Sequence, residues 1–242
     1  TVEEVYIPIS HKIIRWVSAS DQPLVIGING AQGTGKSTLS EFLSEYLKEI
    51  SDLNLIVLSL DDLYKTKSER LRLSNELHPL FKTRGVPGTH DVDLGIKIIS
   101  DCTILKENSV DIPVFRKDLD DRVKAEDWRS IRGPVDVVLF EGWCVSAEAQ
   151  PKSELRNAVN QFELSEDPNG LWRQSVNDFL ENEYRELFNK ITHIIMLRVP
   201  SFDCIYQWRF EQETKLANQF KGADHASDQR FMDKDALEYF IS

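Results

Sequence analysis

Near the amino terminus the stretch GINGAQGTGKSTLSEFL, Gly27 to Leu43, concentrates residue types suited to phosphate chemistry. Within it Gly30-Ala31-Gln32-Gly33-Thr34-Gly35-Lys36-Ser37 has the spacing G-x-x-x-x-G-K-[ST]. Glycines reach left-handed backbone angles and let successive N–H groups converge on an anion at the start of a helix. Lys36 suits the β- and γ-phosphates of ATP, and the Ser37 hydroxyl suits Mg²⁺. Thr38 has its amide in the first helical turn, near an α-phosphate. The loop from Gly30 to Thr38 therefore reads as a site for ATP with Mg²⁺. A Gly-rich turn with an incidental lysine is the alternative, and the flanking residues oppose it. LVI before the loop is a buried-strand pattern, while Leu39, Phe42, Leu43, Tyr46, Leu47 and Ile50 after it share one helical face.

Asp61 and Asp62 follow the apolar run NLIVLSL, so they stand at the carboxyl end of a second strand, where open α/β sheets bind ligands. Phosphoryl transfer to a hydroxyl needs a proton acceptor opposite the phosphates, which a carboxylate there provides; two solvated turn aspartates are the alternative. Glu141 ends a third apolar strand, VDVVLF, where a carboxylate is costly without a cation or water partner. It reads as a ligand of magnesium-bound water, with a structural role as its competitor. Arg84 in the loop RGVPGTHD is the first candidate for a carboxylate clamp, because a guanidinium grips a carboxylate with two parallel hydrogen bonds. His90 and Asp91 of the same loop orient either the substrate or the loop itself.

The elements that must position these residues follow from periodicity. Helices are expected over Ile9–Ser18, Thr66–Leu77, Leu94–Leu105, Leu171–Phe188 and Phe202–Phe220. Strands are expected over Leu24–Ile28, Asn54–Leu60, Val135–Phe140 and Thr192–Val199, with an extended DIPVF at Asp111–Phe115 and a charged loop from there to Arg132. Strands alternating with helices predict an α/β fold with a mainly parallel sheet and helices on both faces. One domain over 1–242 is expected, with a substrate-covering insertion at about 64–132.

Composition narrows the partners. A net charge of −11 opposes nucleic-acid binding, which usually needs a basic face. Between Tyr64 and Arg132, however, fourteen Lys and Arg stand against twelve Asp and Glu, so a small anionic substrate finds local complementarity there. Cys102, Cys144 and Cys204 are too few and too scattered for a disulfide framework or a zinc site. No apolar run is long enough for a membrane span, and Thr1 to Ser20 is too charged for a signal peptide. A cytoplasmic protein is expected, with the nucleus left open, and no membrane or protein partner is evident. The closing DKDALEYFIS has a helical pattern running to the last residue, so the natural chain is expected to continue.

GAQGTGKST, LSLDDLY, RGVPGTHD, LFEGW and QWRFEQE, in this order across most of the chain, resemble the glycerate-kinase-like branch of P-loop small-molecule kinases. That branch includes plant D-glycerate 3-kinases and fungal ATP-dependent kinases of unassigned substrate. Uridine kinase, phosphoribulokinase and pantothenate kinase are more distantly similar. The resemblance implies a P-loop NTPase fold and an ATP-dependent phosphotransferase with an alcohol acceptor, glycerate favoured. It implies Asp61 rather than Asp62 as proton acceptor and Arg209 as a lid arginine on the ATP phosphates, completing a catalytic set with Lys36. It also brings Arg122 to the substrate, although FRKDLDDR reaches Asp121-Arg122 without the glycines usual in the family. An ion pair with Glu213, four residues on, is the alternative for Arg209. Two other functions stay open. One is a kinase for a nucleoside, sugar or pantothenate-like acid; the other is a nucleotide-dependent switch, although Asn189-Lys190 continues Ile-Thr and so lacks a guanine-reading motif.

Overall fold

The alternation of strands and helices becomes a parallel sheet with helices on both faces in the computed structural model, which describes residues 1–104 and 109–201 together with 204, 205, 207, 208, 211 and 214. After a π-helical turn at Val2–Tyr6 and α1 (Ile7–Ser18), β1 (Leu24–Gly30) runs through the phosphate loop into α2 (Lys36–Ser51). β2 (Leu55–Ser59) ends in a 3₁₀ turn at Leu60–Leu63 and is followed by α3 (Lys67–Glu76) and α4 (Val92–Ile104). Four short strands come next, β3 (Ser109–Ile112), β4 (Phe115–Arg116), β5 (Asp121–Arg122) and β6 (Arg129–Arg132), before the long β7 (Val137–Gly142). α5 (Gln161–Glu166), α6 (Leu171–Phe179), a π-helical stretch at Leu180–Tyr184 and α7 (Arg185–Phe188) lead to β8 (His193–Leu197).

The main sheet has the order β2-β7-β1-β8, all parallel. Successive side chains of a strand point to opposite faces, and both faces are buried here. Leu24, Ile26 and Ile28 of β1 join Val137 and Leu139 of β7 against Ile13 of α1 and Leu39, Leu43 and Leu47 of α2. Val25, Ile56, Leu58, Val138 and Phe140 face the other way, against Ile98, Ile99 and Cys102 of α4 and against Tyr184 and Leu187. Each fully buried aliphatic side chain contributes roughly 1.5–3 kcal/mol, so the sheet is the rigid part of the molecule. Leu139→Ala, at the centre of both the sheet and one core, is the change that most directly loosens it, at about 2–5 kcal/mol. The parallel sheet with helices on both faces is the one the alternation predicts, and the fold is P-loop NTPase-like, as the resemblance implies.

Two segments differ from the sequence expectation. The charged loop to Arg132 contains real pairing: β3 runs antiparallel to β6, and β4 to β5. A two-residue strand carries no readable alternation, and β6, RSIR, has one apolar residue. The helix expected over Leu171–Phe188 forms, but its π-helical stretch presents a fully buried Tyr184 to the RGVPGTHD loop. Such π segments cluster at functional sites. The helix expected over Phe202–Phe220 lies mostly outside the described residues, as do Arg209, Glu213 and the closing DKDALEYFIS. Among the described residues no helix is long and apolar enough to cross a membrane.

Candidate active site

The carboxyl ends of β1, β2 and β7 frame a cavity of about 290 Å³. Its phosphate side is made mostly of backbone. Gly33 and Gly35 have φ of 81° and 86°, angles that side chains with a Cβ rarely adopt. A Cβ on Gly30 would stand 2.7 Å from Thr34 Oγ1 and 3.0 Å from Leu197 Cβ, so the strand end tolerates only glycine. Thr34 Oγ1 closes the loop by donating to the Ala31 carbonyl at 2.8 Å. No side chain caps the start of α2, which leaves its first amides for an anion. Lys36 Nζ donates to the carbonyls of Gly30 (2.8 Å) and Ala31 (3.1 Å). Burial lowers the Lys36 pKa, partly offset by Glu141 and Asp61. Gln32, Gly33, Gly35, Lys36, Ser37 and Thr38 all line the cavity.

Glu141 is buried and accepts from Ser37 Oγ at 3.2 Å and Ser59 Oγ at 2.8 Å. No ion pair to Glu141 is found among the described residues. A hydroxyl and a carboxylate form the hard-oxygen donor set that Mg²⁺ takes, with phosphate oxygens and water completing the shell. These residues therefore fit Mg²⁺. Ser59 also accepts from the Asp61 amide at 3.3 Å, which ties the last residue of β2 to the turn that carries the aspartates.

The acceptor side is built from charged and aromatic side chains of distant segments. Asp61 Oδ2 accepts from Lys117 Nζ at 2.7 Å, and Tyr64 hydrogen-bonds the same carboxylate. Burial pushes the Asp61 pKa up, but the Lys117 ammonium and the hydrogen bonds from Lys117 and Tyr64 together hold the group below its ordinary value. Asp62 turns away, accepts from the Phe115 amide at 3.2 Å and has its pKa raised by burial. The two neighbours are thus separated in role, and Asp61 alone lines the cavity. Arg84 lines it as well, with its guanidinium over the Phe115 ring and bonded to Asp120.

The other expected substrate residues stand behind the wall rather than in it. His90 has no exposed surface: it stacks on Tyr64 with centroids 4.4 Å apart, and its Nδ1 meets the Tyr184 hydroxyl at 2.6 Å. Burial drives its pKa down to about 3, so the ring is neutral. Asp91 caps α4 by accepting from the Leu94 amide at 3.2 Å and receives Arg122 at 3.0 Å. Arg122 is buried to 11% side-chain exposure over Trp128. Of the alternatives open for His90 and Asp91, the geometry favours orienting the loop. Arg122 likewise braces it, because a side chain held by Asp91 and lying over Trp128 does not line the cavity. Residues that sequence reasoning passed over do line it. Tyr64 and Trp143 reach the cavity, and Trp143 Nε1 donates to the Gly85 carbonyl at 2.9 Å, beside Arg84; Lys117, of the segment whose glycine-free course left its placement open, lines it too. Tyr184 anchors RGVPGTHD from below through the Gly88 amide at 2.9 Å. Gly88, with φ 102°, sits where a Cβ would lie 2.5 Å from the Phe179 ring. An aromatic residue just after a strand-end glutamate was the available signal for Trp143; for Tyr184 there was none, since helical periodicity explains it.

With this geometry in place, a model of the KAP family P-loop domain matches residues 6–196. The chain belongs to this P-loop family. It is 30% identical over 203 residues to "Uncharacterized kinase mug58" of Schizosaccharomyces pombe, covering 81% of this chain and 72% of that one. It is 28% identical over 202 residues to the chloroplastic D-glycerate 3-kinase of Arabidopsis thaliana, where the match covers 80% of this chain and 42% of the relative's length. In fold it is similar to the solved D-glycerate 3-kinase of Cryptococcus neoformans var. grubii, with a TM-score of 0.83 at 24% identity over 98% of this chain and 85% of that one. These likenesses support a nucleotide-binding P-loop kinase. They agree with the resemblance carried by GAQGTGKST, LSLDDLY, RGVPGTHD and LFEGW.

Proposed function

We propose that this P-loop kinase is an ATP- and Mg²⁺-dependent phosphotransferase acting on a hydroxyl of a small anionic metabolite, with glycerate as the favoured acceptor. One observation carries the reading: the Asp61 carboxylate and the Arg84 guanidinium line the same cavity as Lys36 and Ser37. A proton acceptor and a carboxylate clamp thus stand opposite a phosphate loop.

In this mechanism the amides of Gly33 to Thr38 and the Lys36 ammonium hold the triphosphate. Ser37 and Glu141 would hold Mg²⁺, which would supply positive charge to neutralise the phosphate oxygens. Arg84 orients the acceptor by its carboxylate. Asp61 takes the proton from the acceptor hydroxyl as that oxygen bonds the γ-phosphorus and the bond to the β-phosphate oxygen breaks, releasing ADP. The transition state is loose, so the residues act by placement and charge more than by covalent chemistry. Arg209, outside the described residues, is assigned to the closing lid through the family resemblance alone. A coupled ADP-release screen across D-glycerate, L-glycerate, glycerol, uridine and simple sugars tests the reading. Turnover on glycerate well above glycerol supports it, whereas equal rates on the two remove the anionic-acceptor claim.

A further inference from the structure

The turn of the β4–β5 hairpin, Lys117 to Asp120, sets two charged groups on the acceptor side of the cavity. Lys117 Nζ bonds Asp61 at 2.7 Å, and the Asp120 carboxylate accepts from Arg84. The hairpin is also held from behind. Fully buried Arg70 donates to the Asp120 carbonyl at 2.6 Å and pairs with its carboxylate at 2.9 Å, and Asp121 accepts from the Lys67 amide at 3.0 Å. The cavity-side contacts are more exposed: the Lys117 side chain is 64% accessible and that of Asp120 36%. Partly exposed ion pairs hold weakly and exchange readily.

The turn thus presents a hydrogen-bond donor to Asp61 and a carboxylate to Arg84. A hydroxy acid offers those two groups the same pair of functions, its O–H and its carboxylate. Resting on the proposed acceptor reading, we infer that Lys117 and Asp120 are specificity-determining residues that engage the two cavity-lining groups Asp61 and Arg84 until an acceptor replaces both contacts, the Asp120 carboxylate remaining on Arg70. A neutral polyol competes for Asp61 but leaves Asp120 on Arg84. A simple carboxylate competes for Arg84 but leaves Asp61 capped. Only a molecule bearing both groups replaces both contacts together, so the turn selects hydroxy acids by chemistry that the clamp alone does not supply.

The opposite role for Asp120, a prop that aims Arg84 at the acceptor, predicts the opposite sign, which makes the pair testable. Asp120→Asn keeps a residue that tolerates the observed φ of 52° and removes the charge. Asp120→Gly suits the same backbone angle and removes the side chain altogether; both variants lose the ion pair with buried Arg70, so urea unfolding of each is measured alongside the kinetics. The acceptor KM for D-glycerate is expected to fall about fivefold in each, as a competing occupant is removed, with the ATP KM unchanged. A raised acceptor KM in both variants would overturn the inference. Calorimetric titration of D-glycerate in the presence of Mg²⁺ and ADP separates this from the kinase reading. Tighter binding in Asp120→Asn without turnover in any protein keeps the occupied subsite and defeats glycerate as the phosphoryl acceptor. Turnover on glycerate with weaker binding in Asp120→Asn does the reverse, and binding to neither protein defeats both.

Discussion

The two sides of the cavity are made differently. The phosphate side uses main-chain amides of one continuous loop, fixed by Gly30, Gly33 and Gly35 and by the rigid end of β1. The acceptor side uses side chains from four separate segments, Asp61 and Tyr64, Arg84, Lys117 and Trp143, held by exchangeable ion pairs and hydrogen bonds. A backbone cradle binds what every nucleotide shares, and Lys36 apart it is built with little help from side chains. A cradle of side chains is where related kinases can diverge in acceptor without disturbing the fold.

The largest expected effect tests the one side chain on which the phosphate side depends. Lys36→Ala should lower turnover by about 10²–10³-fold, the scale for losing one aimed cationic donor, and weaken ATP binding. An unchanged ATP dissociation constant by calorimetry would break the assignment of that side. Next, Asp61→Asn should lower kcat by about 10²-fold or more with nearly constant ATP affinity, whereas Asp62→Asn, whose carboxylate faces the Phe115 amide, should be milder. If the two ranked the other way in steady-state assays, the proton acceptor would be misplaced.

How much of this contrast was legible in the sequence follows from the same difference. The phosphate loop, its strand and its helix could be read directly, because adjacent residues build the site and glycine spacing records backbone angles. Glu141 and Asp61 were legible as carboxylates at the ends of apolar strands. Their mutual arrangement through Ser59 was not, since a serine at a strand end carries no distinguishing signal. The acceptor side depends on tertiary juxtaposition. His90 and Asp91 were open as orienting either the loop or the substrate, and Arg122 was expected at the substrate; all three stand beneath the wall, where Tyr184, Glu69 and Trp128 meet them. Lys117 reaches Asp61 across fifty-six positions on a turn with no glycine, where Asp120 adopts the left-handed angle instead.

A smaller effect sharpens the acceptor half. Arg84→Ala should raise the acceptor KM at the cost of about 1.5–3 kcal/mol of binding while leaving the ATP KM nearly constant. Arg84→Lys should recover only part, because an ammonium lacks the planar fork. A matched rise in both KM values would show that the two halves are not separable.

The smallest expected effect concerns the support beneath the acceptor side. His90 is neutral when folded, with its pKa driven by burial from 6.5 down to about 3. Between those values the unfolded chain binds the extra proton and the folded chain does not. Its contribution to stability is therefore complete above pH 6.5 and is lost as pH falls through that window, by at most roughly 1.4 kcal/mol per pH unit. Urea unfolding at pH 7 and pH 5 should show this slope in the wild type and a reduced one in His90→Gln. Equal slopes would mean that the ring is not held neutral.

The central claim, that the phosphate loop and the Asp61 carboxylate act together on a hydroxy acid, is tested most directly by phosphorus NMR of purified protein with Mg²⁺, ATP and D-glycerate. The predicted result is a new phosphomonoester resonance growing in step with ADP, present for the wild type and nearly absent for Asp61→Asn. Growth of inorganic phosphate and ADP alone, at the same rate with and without D-glycerate, would contradict it.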